Sequence, residues 1–118
     1  TPQGEEYAEA LRLLSERQYR QALPILEKRP DYNTALCLTQ LGYHKEASAL
    51  LDQLPVDSRK EYLHAVVSAR QGDDYLAVEH MLAACRMNPN LVLRIPLDPE
   101  LSDLIPKFFG LRMELDRK

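Results

Sequence analysis

A chain of 118 residues that is 45% apolar and 28% charged is long enough to bury a core of its own and too apolar to stay disordered. Its 15 Lys and Arg stand against 18 Asp and Glu with no run of like charge, which argues against a nucleic-acid partner. No window approaches the ~20 consecutive apolar residues of a transmembrane helix, so no membrane insertion by this chain is expected. No short apolar segment follows a basic start, as in a secretory signal. The opening Thr1-Pro2-Gln3, without Met, is what a processed protein or an excised piece would show, and leaves the compartment open.

In chain order, three segments superimpose without internal gaps, beginning at Tyr7, Tyr32 and Tyr62. Three residues after each tyrosine stands an alanine (Ala10, Ala35, Ala65), followed by Leu11, Leu36 or Val66. Further on come Arg17, Gly42 or Gly72, then a second alanine (Ala22, Ala47, Ala77), then Leu26, Leu51 or Met81. A tyrosine, an alanine and an apolar residue at i, i+3 and i+4 share one helical face, and the later pair at i, i+4 marks the face of a second helix. Glycine suits the C′ position that ends the first helix, because it takes the left-handed conformation without a Cβ penalty. Arg17 departs from that column, and a looser turn is expected there.

The pattern predicts helices at about 4–16, 19–28, 31–41, 44–54, 58–71 and 74–87. Pro30 should shorten the second of these, and Asp57 or Ser58 should cap the fifth. Asn88-Pro89 precedes a short helix in 91–94. Asp98-Pro99-Glu100 then reads as a helix start, whose Leu101, Leu104 and Ile105 would cover the open end of the stack. The expectation is one all-α domain over residues 1–118: three antiparallel helical hairpins (about 5–30, 31–55 and 58–89), a cap over 90–107 and a tail over 108–118. Cys37 and Cys85 lie in apolar helical patterns and read as buried free thiols rather than a disulfide.

At QGDDYLAVEHMLAACRMNP (71–89), LGYHKEASALLDQLP (41–55) and SERQYRQALPILEKRP (15–30) the chain resembles the tetratricopeptide repeat. The glycine ending the first helix, the alanine early in the second, the bulky residue four later and the closing proline carry the likeness. It implies a short superhelix whose first helices line a concave face for a peptide or helix. The family's carboxylate clamp would fall on Leu11, Leu36 and Val66 and on Ser15, Gln40 and Arg70, of which only Arg70 is of the matching type. YNTALCLTQLG (32–42) and LDPELSDLIPKF (97–108) also resemble the C-terminal repeat segment of some OmpA-like Gram-negative envelope proteins. That likeness tilts the expected compartment toward the periplasm or cell envelope rather than the cytoplasm, without fixing it.

Catalytic and metal motifs are weighed against simpler readings. Asp73 and Asp74 fall at a turn, where aspartate caps a helix. Glu79 and His80 are adjacent and so diverge by about 100° on a helix, while Cys85 is five beyond His80, which suits a solvated surface better than a ligand set. Glu61-x-x-His64 has the spacing of di-iron bundles, but a second copy is missing, so a surface pair is expected. His44 should pack partly into the core. No catalytic, cofactor or metal residue is assigned, and the chain is read as non-enzymatic.

The expected site is a groove for a protein or peptide segment, with Tyr7, Asn33, Gln40, Arg59 and Arg70 facing outward; the column tyrosines could stand at its edge with wet hydroxyls, but packing between repeats is favoured over ligand contact for them, since periodic aromatics usually mark core. A structural packing or self-association role is the alternative, and an enzyme with an unrecognised site the third reading. The oligomeric state is left open.

Overall fold

In the computed structural model, which describes residues 2–108 and 110, helix pairs follow the three repeats. They are α1 (Pro2–Ser15) with α2 (Tyr19–Leu26), α3 (Tyr32–Gln40) with α4 (His44–Gln53), and α5 (Ser58–Arg70) with α6 (Asp74–Met87). A short α7 (Leu91–Arg94) and two 3₁₀ turns (Ile95–Leu97 and Ser102–Leu104) come after them, and no strand occurs among the described residues. None of the helices described is long and apolar enough to cross a membrane. The chain divides into two compact units, Thr1–Leu54 and Pro55–Lys118.

All three turns inside the pairs have the same construction. The N–H groups of Gln18, Tyr43 and Asp73 donate to the carbonyls of Leu13, Leu38 and Ser68 at 2.8, 2.9 and 3.0 Å. Those of Arg17, Gly42 and Gly72 donate to Leu14, Thr39 and Ala69 at 3.0, 3.1 and 3.1 Å. This double closure is the Schellman motif, and it requires a left-handed residue at C′. Gly42 and Gly72 supply it with φ of 87° and 81°, and Arg17 supplies it too, with φ of 62°. The looser turn expected at Arg17 is therefore not found: the hydrogen bonds hold a side-chain-bearing residue in the geometry that its neighbours in the column reach with glycine.

The residue after each left-handed position starts the next helix, its carbonyl accepting from Ala22, Ala47 or Ala77. Both alanine columns are fully buried: Ala10, Ala35 and Ala65 on first helices, and Ala22, Ala47 and Ala77 on second helices, are all 0% exposed. Small residues let two backbones approach closely, so Leu13, Leu26, Leu51 and Met81 fill the flanking space.

In the first unit α1 packs on α2, α2 on α3 and α3 on α4. Ala10, Leu13, Ala22, Leu26 and Cys37 form a core against Tyr7, Leu14, Tyr19, Leu23, Ile25 and Leu41. The second helix here ends at Leu26, earlier than Pro30 alone predicts. Pro24 stands inside it and removes one backbone donor, its last turn tightens through Lys28 and Arg29 N–H bonds to Ile25 and Leu26, and the Thr34 hydroxyl donates to the Leu26 carbonyl. Asp31 and Thr34 form a reciprocal capping box that starts α3.

In the second unit α5 packs on α6 and α6 on α7. Asp57 caps α5 and Asp73 caps α6, each side chain accepting a backbone N–H. Leu101, Leu104 and Phe108 enter the same core as Tyr62, Val66, Val78, Met81 and Ile95, so the cap does pack on the third pair. Its helix does not start at Asp98: residues 99–101 form a turn, 102–104 a 3₁₀ turn and 105–108 the helical continuation. Asp98 is spent elsewhere, one carboxylate oxygen accepting Glu100 N–H at 2.9 Å and the other the Tyr62 hydroxyl. Apart from Phe108 and Gly110, the expected tail 108–118 lies outside the described residues.

A Cβ added at Gly42 or Gly72 meets nothing within 4 Å, so replacing either by alanine costs only the left-handed strain, about 1 kcal/mol. Arg17→Gly relieves that strain at the first turn and is expected to stabilise by a few tenths to about 1 kcal/mol, offset in part by the unfolded-chain entropy of glycine. Urea unfolding of the three variants checks both signs.

Candidate functional site

Two of the three column tyrosines, Tyr7 and Tyr62, are used inside their own units. In the first, the Tyr7 hydroxyl donates to Asp31, the residue that caps α3, and accepts from Asn33 Nδ2 at 3.1 Å. The Arg29 guanidinium lies 5.0 Å from the Tyr7 ring centre. In the second, the Tyr62 hydroxyl donates to Asp98 at 2.5 Å and Arg94 lies 4.8 Å from its ring centre. The same tyrosine position thus meets the same two partners, a carboxylate below and a guanidinium above. Against Tyr62, residues 94–98 play the part that 29–31 play against Tyr7. Burial, and then the bond to Asp98, hold the Tyr62 phenol well above its usual range. Burial and the bond to Asp31 push Tyr7 up as well. Both stay protonated donors at any ordinary pH; Tyr62 is buried, as the packing reading expects, while Tyr7 is partly exposed.

Of the five expected groove residues, the structure brings Tyr7 and Asn33 together in the first unit. Gln40 is exposed, seven residues beyond Asn33 and so on about the same face of α3. Beside Tyr7 is a cleft of about 270 Å³ lined by Gln3, Glu6, Tyr7, Ile25, Lys28 and Arg29, with Lys28 paired to Glu6 at 3.0 Å. In the second unit Arg59 and Arg70 stand at the two ends of α5, whose residues Lys60 to Ser68 are all buried between them. Arg70 does grip a carboxylate, but that of Glu100 from the same chain, through two bonds of 2.9 and 2.8 Å. The guanidinium is held above its usual range first by that hydrogen bonding.

The interior of α5 also holds a polar cluster where a surface pair was expected. Glu61 is 7% exposed and His64 2% exposed. His80 Nδ1 on α6 lies 2.6 Å from Glu61 Oε2, Lys60 Nζ lies 3.4 Å from Glu61 Oε1, and the His64 and His80 rings stack with centres 3.8 Å apart and planes 14° apart. His80 is thus drawn inward while its neighbour Glu79 remains exposed. Burial alone would raise the Glu61 carboxyl, but the hydrogen bond and charge of His80, with Lys60, more than offset it and hold it below the usual range. Sequence spacing showed Glu61 and His64 on one face of α5; that α6 would lay His80 across both was not readable without the packing. No group of three His, Cys, Asp or Glu that could hold a metal occurs among the described residues. Cys37 is buried and Cys85 partly buried, both free, with burial and then the charge of Glu27 raising the Cys37 thiol.

No family model, curated protein or solved structure matches the chain.

Tyr62→Phe is expected to destabilise the protein by about 1.5 kcal/mol, the worth of a hydrogen bond to a charged acceptor. Most of that cost should vanish in an Asp98→Ala background, where the acceptor is gone, which a double-mutant cycle measures. A second expectation concerns acid. Because its carboxyl is lowered in the folded state, Glu61 contributes stability fully above the unfolded value of about 4.3, and that contribution is lost as pH falls through the folded value. The stability gap between the protein and Glu61→Gln should therefore narrow below about pH 4 in urea titrations.

Proposed function

We propose that this chain is a non-enzymatic interaction module that binds a protein or peptide segment, its helix pairs stacked as a short tetratricopeptide-like superhelix within a larger envelope or scaffold protein. The observation that carries the reading is the cleft of the first unit. Tyr7 is fixed there by Asp31 and Asn33, beside Ile25 and the cationic ends of Lys28 and Arg29, which is the mixture of an apolar floor and polar rim that holds a peptide segment. Asn33 and Gln40 extend the same face along α3 as hydrogen-bonding side chains for a peptide backbone.

A structural role is favoured by a different observation in the second unit. The one residue suited to a carboxylate clamp, Arg70, is occupied by Glu100, and the middle of α5 is buried throughout. There the surface is consumed in packing the chain on itself.

A photo-crosslinking residue placed in turn at Gln40, Arg59 and the exposed Glu79 separates these readings in the intact parent protein. The binding role predicts a discrete adduct with another protein from Gln40, several-fold weaker with Arg29→Glu, and none from Glu79. Adducts only between two copies of the chain would favour self-association, and equal yields at all three positions would overturn a defined groove.

A further inference from the structure

The cleft beside Tyr7 carries a positive charge that its own walls do not neutralise, and that charge bears on what it can hold. We propose that the partner segment is acidic: it sets an apolar side chain on Ile25 and the carboxylate of a neighbouring Asp or Glu on the Arg29 guanidinium. This rests on the peptide-binding reading of the same cleft and adds the chemistry of the peptide.

Each carboxylate nearby is placed elsewhere. Glu6 takes Lys28, its two oxygens 3.0 and 3.4 Å from Nζ, so that pair cancels. Asp31 accepts the Tyr7 hydroxyl with one oxygen and the Thr34 N–H with the other, which fixes it at the start of α3. The charge of Glu27 acts on the Cys37 thiol, and the exposed Glu5 does not line the cleft. Arg29 is exposed and makes no ion pair among the described residues; its contact is the Tyr7 ring, 5.0 Å away.

A ring face attracts a cation but offers no oxygen to its N–H donors, so the fork of the guanidinium stays available to a carboxylate. The Tyr7 hydroxyl both donates to Asp31 and accepts from Asn33, which holds the ring beneath Arg29 in place before any ligand arrives. From 17 to 29 the chain carries Arg17, Arg20, Lys28 and Arg29 against Glu27, a basic strip in a chain of net charge -3, which favours the approach of an acidic segment to this side of the first unit. At about 270 Å³ the cleft lies just below the usual ~300–1,000 Å³ of small-molecule pockets, so it suits one or two side chains of a longer segment.

Selection from a phage-displayed library of random peptides tests this on the intact chain. Binders should be enriched several-fold in Asp or Glu beside an apolar residue. Synthetic copies with Asn or Gln in place of that acid should bind the unaltered protein about tenfold more weakly, the worth of a charged hydrogen bond. Arg29→Glu should abolish the acidic preference, whereas Arg20→Glu, at the other end of α2 and outside the cleft, should keep it. Binders without acidic preference, or a preference that survives Arg29→Glu or is lost equally with Arg20→Glu, would overturn the acidic partner while leaving the cleft a peptide site. Recovery of no binder would remove the peptide-binding reading along with it.

Discussion

Each helix pair depends on one left-handed residue. At positions 17, 42 and 72 the chain must leave a right-handed helix, satisfy two carbonyls by backbone N–H groups and turn back within three residues, and only a positive φ allows that closure. The alanine columns stand about two helical turns before the reversal and a little over one turn after it, and both are fully buried. Arg17 shows which requirement dominates: the backbone bonds impose the geometry, and the strain of a side chain there is tolerated rather than relieved by a looser turn.

The tyrosine contact is the second device, and it explains how the second unit is closed. A phenol that donates to an aspartate under an arginine needs no helix in a particular place, only a carboxylate and a guanidinium held near the ring. In the first unit the start of α3 provides them; in the second, an irregular segment after α7 does. Asp98 cannot serve Tyr62 and also open a regular helix with its capping geometry, so the cap begins as a turn and becomes helical only after Leu104. Leu101, Leu104 and Phe108 then provide the apolar cover that a further repeat would have brought.

Where packing on the chain itself ends and surface remains bears directly on function. The first unit keeps a cleft with both polar and apolar walls, whereas in the second Arg70 is taken up by Glu100, Tyr62 by Asp98, and the middle of α5 is buried. Buried charge has to be paired to be tolerated, and Lys60, Glu61 and His80 meet that demand as a chain of contacts.

The sequence by itself determined the local facts: six helices within about two residues, the turn positions, caps narrowed to Asp57 or Ser58 and to Asp73 or Asp74, and the close approach of helices along both alanine columns. These follow from helical periodicity and from backbone rules that act over a few residues. Only the tertiary structure decided what long-range packing controls. It placed Arg17 in the same turn as the glycines, tied the Tyr7 and Tyr62 hydroxyls to Asp31 and Asp98, gave Arg70 to Glu100, and carried Glu61 and His64 from an expected surface into the interior beneath His80. Each of those outcomes depends on which residue of a distant segment lies opposite, a relation that spacing along one helix does not encode.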